Sequence, residues 1–369
     1  MKVSMHIHAI NVIYVVKPAA LKKLAFLFVL LLIGADLDAQ IGGRYAFESV
    51  SLPLNARLTA LGGHLISVKD EDVALAFQNP AVSNAAMNMQ LSINHNFHFA
   101  GISHGNVLIG KQNDSLGMSF HAGISYVDYG DFTAANELGD NTGEFSAGEM
   151  AVTVGAAKQL NARIRGGINL KFLSSNYESY GSVAVGVDLG LFYQTPGSNT
   201  AWSLVIANIG HELSAVVDDK RGLPFDLQMA FSRRLEHLPF RFSIVAQQLQ
   251  KWYIRYDDPD RDVRTDFLGD TQEISAFSRG LDNFFRHFVF NGEFLIGTNE
   301  QFRLRFAYNH LRRQEMSLSN FRSLAGFSFG LGLNIKKIRF DYGVGYHHLA
   351  GATNHLSLRI NMARIFNKI

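Results

Sequence analysis

Beyond residue 88 the chain alternates apolar and polar residues with a period of two. Leu91, Ile93 and Phe97 alternate with Ser92, Asn94 and Asn96; Phe120, Ala122, Ile124 and Tyr126 with His121, Gly123 and Ser125. The same holds for Val187, Leu189 and Leu191 against Asp188 and Gly190, and for Phe302, Leu304 and Phe306 against Arg303 and Arg305. Near the end, Phe340, Tyr342 and Val344 oppose Asp341 and Gly343, and Leu356, Leu358 and Ile360 oppose Ser357 and Arg359. Successive strand residues point to opposite faces, so each run has one apolar and one polar face. The pattern predicts strands at about 88–99, 104–111, 115–127, 149–158, 162–173, 182–194, 200–208, 224–234, 239–249, 287–297, 301–310, 325–335, 337–347 and 354–364.

Runs of this length suit tilted strands that cross a bilayer, which need about 9–11 residues, whereas strands of soluble sheets are mostly 5–6. The polar faces carry full charges: Arg165, Lys171, Asp188, Asp226, Arg241, Glu293, Arg303, Arg305, Arg339, Asp341 and Arg359. In a soluble sandwich the opposite faces would bury a very large aromatic area against a second sheet. In a membrane barrel that face meets lipid and the charges line the lumen. Linkers decide between the two. Those after even-numbered strands are tight, as at Gln112–Asp114, Gln159–Asn161 and Thr298–Glu300. Those after odd-numbered strands are longer, notably Asp128–Gly148, Ile209–Leu223, Gln250–Arg286 and Leu311–Leu324. Short turns on one rim and long loops on the other predict a transmembrane antiparallel β-barrel of about fourteen strands, with both ends on the periplasmic side.

The preceding residues do not alternate. Residues 40–87 hold Leu61-Gly62-Gly63, then Asp70-Glu71-Asp72 opening a short helical run, Val73–Phe77, closed by Asn79-Pro80-Ala81. An acidic start and a proline stop are helix punctuation. The segment is expected to sit inside the barrel as a plug, with Leu61, Gly62, Gly63, Asn79 and Pro80 as its marker residues. Further upstream, Lys22 and Lys23 precede the apolar run Leu24–Ile33, Gly34 and a cleavage point after Ala39. That run is too short for a spanning helix and reads as a secretory signal peptide. The expected organisation is therefore signal peptide 1–39, plug 40–87 and barrel 88–369, in the outer membrane of a Gram-negative bacterium.

Composition narrows the chemistry. Cysteine is absent, which removes disulfides, thiolate metal sites and a lipidated N-terminal cysteine. Loss of residues 1–39 takes away four lysines and two aspartates, so the formal charge of +2 falls to zero. A neutral chain lacks the basic face that nucleic acid requires. Gly101-Ile102-Ser103-His104-Gly105 matches the nucleophile-elbow pattern, but lies between two strands with no helix after it. Gly105–Lys111 imitates a phosphate loop, with Gln112 where Ser or Thr belongs. Asp258–Asp262 opens like a calcium loop, then places Val263 at the glycine position and Gly269 at the glutamate position. His95 and His98 fall on opposite strand faces, as do His347 and His348. No catalytic, cofactor or metal site is expected, and the chain is read as a non-enzyme.

One loop is more suggestive. Ile274, Phe277, Leu281, Phe284, Phe285 and Phe288 recur at helical spacing. Such a helix either packs on the barrel rim or docks a partner or the membrane surface. Trp252, Tyr253 and Arg255 precede it, and together with Phe277, Leu281, Phe284 and Phe285 they form the candidate partner loop.

Two stretches carry a family resemblance. Leu54–Gly63 with Asp70–Ala81, and Asn334–Gly343 with His348–Gly351, resemble the PorQ family, barrels of the type IX secretion system; the first is similar more loosely to FadL- and PorV-like barrels. The ending Phe366-Asn367-Lys368-Ile369 departs from the final aromatic common in barrels. The resemblance implies a non-enzymatic member of the attachment complex. It would anchor a surface partner (PorZ-like) beside the sortase (PorU-like) and a PorV-like barrel, where cargo is joined to lipopolysaccharide. The alternative is a FadL-like channel for small hydrophobic molecules.

Overall fold

The computed structural model describes residues 44–98, 100–216, 220–255, 263–265, 271–273, 275–298, 300–316, 324–348 and 351–363. The expected signal peptide and the terminal residues 364–369 lie outside the described residues.

Fourteen strands close into an antiparallel barrel. They are β1 (Gln90–Phe97), β2 (Ser103–Asn113), β3 (Met118–Ala135), β4 (Asn141–Gln159), β5 (Ile164–Tyr177), β6 (Tyr180–Gln194), β7 (Thr200–Ser214), β8 (Asp226–Arg234) and β9 (Phe240–Ala246), then β12 (Phe288–Ile296), β13 (Phe302–Asn309), β14 (Phe327–Ile335), β15 (Ile338–His348) and β16 (Gly351–Asn361). Two short strands, β10 (Val263–Thr265) and β11 (Thr271–Glu273), pair with each other in the β9–β12 connection. Each barrel strand pairs with its neighbours in sequence, and β1 closes on β16 with Ile93 opposite Leu358. Closure removes every sheet edge at membrane depth, the condition for a sheet to survive in lipid.

The facing follows the alternation. Ser92, Asn94 and Asn96 are buried while Ile93 and Phe97 are exposed; Ser357 is buried and Leu356 exposed. Leu189 faces out and its neighbour Asp188 faces in, as the pattern predicts. Every wall charge named from the sequence between Glu293 and Arg359 is buried on the inner side.

One expected loop is largely strand and a second begins as one. The segment expected as the loop Asp128–Gly148 continues β3 and β4 as a ladder through Phe132↔Phe145 to Ala135↔Asn141, with a turn at 136–140. Ile209–Leu223 likewise begins as the outer end of β7, which runs to Ser214. β3 and β4 are 18 and 19 residues long. At about 3.3 Å per residue they reach roughly 60 Å, well beyond the 9–11 residues that cross a bilayer. Neighbours stop early: β2 pairs with β3 only to Asp128, and β5 with β4 only from Ala147. The outer part is thus a two-stranded arm with Phe132 stacked on Phe145 at 5.4 Å.

Residues 54–83 are bonded to inward side chains of strands on several sides, Ala56 to Ser357, Ala76 to Asn169 and Ser83 to Arg165. Helix α1 (Ala56–Ala60) starts at Asn55, whose side chain accepts the Leu58 N–H at 2.8 Å. It stops at Gly62 and Gly63, both at positive φ, where the Gly63 N–H reaches the Leu58 carbonyl at 2.8 Å. Helix α2 (Ala74–Gln78) falls where the sequence expects it and ends at Asn79, which caps the 3-10 turn Pro80–Val82. Glycines in the wall admit this backbone. A Cβ at Gly343 would collide with the Ala56 carbonyl, and one at Gly167 with the Pro80 carbonyl.

Candidate functional site

The interior is organised around a guanidinium. Arg57, on α1 and fully buried, donates to Glu293 on β12 from Nε at 2.9 Å and to Asp70 from Nη2 at 2.8 Å. Its Nη1 reaches Asp72 at 3.2 Å. Glu293 is shared with Arg241 of β9 and with Arg305 of β13, the latter at 3.0 Å. Arg305 continues to Asp341 at 2.6 Å, and Arg359 pairs with both Asp341 at 2.9 Å and Asp72 at 3.4 Å. Glu71 meets Arg339 and, at 3.5 Å, Arg303, which also holds Glu300 at 2.6 Å. Burial opposes ionisation of Asp70, but the Arg57 and Arg241 guanidiniums outweigh it and hold the carboxyl well below the usual range. Among the described residues the network joins the inner segment to β9, β12, β13, β15 and β16.

Sequence reasoning named the wall charges but missed Arg57, and took Asp70-Glu71-Asp72 only as a helix start. The available signal was one arginine inside the apolar stretch Leu54–Gly63, set against a wall rich in arginine. An apolar cluster completes the packing: Leu58, Leu61, Leu65, Leu75 and Phe77 lie against Leu108 and Phe192 of the wall. The sequence-named marker residues take part. Leu61 is fully buried, and the Gly63 carbonyl accepts from Gln78 at 2.6 Å. Gly62 lies beside Val289, and the Asn79 side chain donates to the Ile66 carbonyl at 2.8 Å. Pro80 is buried against β5 and β6.

On the outer side a cleft of about 60 Å³ opens between residues 47–54 and strands β2–β5. Leu52, Leu54, Phe77, Met150 and Leu173 give it apolar walls. Glu149 lies at its edge and accepts from Tyr129 at 3.0 Å, and from Tyr177 and Ser49.

The candidate partner loop divides. Helix α3 (Ala276–Arg286) is capped by Ser275. Its Asn283 side chain accepts the Ile254 and Arg255 N–H groups at 2.9 and 3.1 Å and donates to the Trp252 carbonyl at 2.8 Å, tying the two halves together. Trp252 stacks on His287 at 5.8 Å, and Tyr253 is exposed. Arg255 lies 3.6 Å from Asp282. Asp282 also bonds Arg286 and His310, each at 2.9 Å. Burial resists its charge; the His310 and Arg286 bonds prevail and hold the carboxyl low. Phe277, Leu281, Phe284 and Phe285 share the exposed side, which corrects the expectation of an apolar face packed on the rim: the helix lays its polar face there. Ile274 lies outside the described residues.

No family model and no curated protein matches the chain. Among solved structures, the Pseudomonas putida toluene transporter TodX is 13% identical over 84% of this chain and 96% of that one, with a TM-score of 0.48. A Pseudomonas aeruginosa FadL homologue is 11% identical over 84% and 98%, at 0.46. The CymD monoaromatic hydrocarbon channel is 14% identical over 85% and 97%, at 0.48. The likeness is one of fold alone, a closed antiparallel β-barrel.

Proposed function

We propose that this chain is a plugged outer-membrane barrel that anchors a surface partner, with the type IX attachment complex as its setting. The observation that carries the anchoring role is Arg57, fully buried among Asp70, Asp72 and Glu293. A lumen filled by a segment held in this way offers no polar path, so the outer surface becomes the working part. There the β3–β4 arm stands clear of its neighbours with both edges unpaired, a geometry to which another chain can add. Trp252 and Tyr253 contribute aromatic contact area of the kind that dominates interfaces. The finer identity, with its PorZ-like partner, sortase and PorV-like barrel, rests on the resemblance in Leu54–Ala81 and Asn334–Gly351.

A second reading is a channel for small hydrophobic molecules, by analogy with the toluene transporter TodX and the monoaromatic hydrocarbon channel CymD. The apolar cleft beside Met150 and Leu173 favours it. One experiment separates them. The arm, residues 129–146, is replaced by a tight turn, and a strain lacking the gene is made in parallel. Anchoring predicts that the surface partner co-purifies in mild detergent with the full chain only, and that cargo leaves the surface in both strains. If cargo stays attached when the gene is absent, anchoring is wrong. Loss of uptake of a small hydrophobic solute in that strain would then establish the channel.

A further inference from the structure

α3 is amphipathic in the reverse sense. Its polar residues Asn283 and Arg286 are buried, with 4% and 6% exposure, while Phe277 is 81% and Leu281 47% exposed. Phe284 and Phe285 share that outward side. In a water-exposed helix on a protein the apolar stripe turns inward and the polar stripe outward. Here the polar stripe makes the contacts with the barrel: Asn283 holds the backbone of 252–255, and Asp282 holds His310 above β13.

The apolar stripe does not end with the helix. Phe284 lies 4.9 Å from Phe288, and Phe288 stacks with Phe290 at 6.1 Å. Phe288 and Phe290 belong to the outward set of β12, continued by Phe294 and Ile296. Beside them Tyr308 of β13 meets Phe327 of β14 at 5.0 Å, forming the aromatic girdle that marks the upper border of a barrel's lipid band. The helix face is thus continuous with the surface that lipid already covers.

We infer that α3 is an interfacial helix whose Phe277, Leu281, Phe284 and Phe285 enter the acyl region of the outer leaflet. The occupant of this face is lipid and not a protein partner, which leaves Trp252, Tyr253 and the β3–β4 arm for protein contacts. The inference depends on the barrel spanning a membrane and not on what it docks.

The absence of native cysteine makes the test direct. Leu281→Cys and Phe284→Cys are labelled with a nitroxide and the full chain is placed in phospholipid vesicles. Relaxation by oxygen, which concentrates in acyl chains, is compared with relaxation by a water-soluble nickel chelate. Leu331→Cys, outward on β14, sets the lipid value, and Leu138→Cys at the tip of the arm sets the water value. Heat-modifiable gel migration certifies that each variant is folded. Both helix labels should match the Leu331 position, with oxygen favoured at least several-fold over nickel. Labels that match the Leu138 position, or that neither reagent reaches because a second copy covers them, overturn the inference.

Discussion

A guanidinium buried among carboxylates is costly to desolvate and persists only while its partners are all in place. Arg57 has Asp70, Asp72 and Glu293 around it, and Asp72 and Glu293 are almost fully shielded from water. Arg57→Leu removes the guanidinium that Asp70, Asp72 and Glu293 share, leaving Glu293 with Arg241 and Arg305 and Asp72 with Arg359, and should cost at most about 3–5 kcal/mol, the range for breaking a buried ion pair. Because the strands pair without Arg57, the loss should fall on the inner segment. Protease added to the variant in detergent should cut within residues 44–89 while heat-modifiable migration of the barrel persists. Arg234→Ala is the control. Its pair with Glu300, at 2.7 Å, is 45% and 25% exposed and is worth about 0–1 kcal/mol at most. Equal cleavage of the two variants would show that Arg57 is not the hub.

At the scale of elements, α1 is held by close backbone approach as well as by charge. The Ala56 N–H donates to Ser357 Oγ at 2.8 Å, and the Ala56 carbonyl rests on Gly343. Gly343→Val should push α1 off β15, exposing Leu58 and Leu61 to protease, while Gly181→Val on β6, where a Cβ would meet only the Ser175 carbonyl at an ordinary 3.6 Å, should leave the segment resistant. Equal resistance in both would mean that α1 tolerates displacement. The barrel strands were legible because each has lipid on one side and a polar interior on the other, which imposes a period of two. The arm was not. Asp131, Thr133 and Glu144 stand among residues exposed on both faces, so no alternation marks them as strand. The stripe of α3 was visible at helical spacing, but its direction was not, since spacing alone cannot say whether lipid or protein receives the apolar side. Arg57 was hidden for another reason: its partner Glu293 is 236 positions away, and no local pattern encodes a contact of that separation.

For the whole molecule, that separation governs time as well as energy. The inner segment comes first in the chain, yet the wall side chains Glu293, Arg303, Arg339 and Arg359 that pair with it belong to the last third. The Ala56–Ser357 bond spans 301 positions and Thr59–His355 spans 296. Contacts this distant are slow to form because chain entropy is lost before they return anything. During assembly Arg57 already has Asp70 and Asp72 of its own segment, but Glu293, Arg339 and Arg359 join that segment only when β12–β16 are present, and β1 cannot meet β16 before the final strand arrives. Seating of the segment is the closing event of maturation. In a refolding time course into detergent, heat-modifiable migration should appear first and protease resistance of residues 44–89 afterwards, with Arg57→Leu lengthening only the second phase. Resistance that precedes closure would reverse the order. A barrel built this way stays open through its own construction and is filled by residues that precede its first strand.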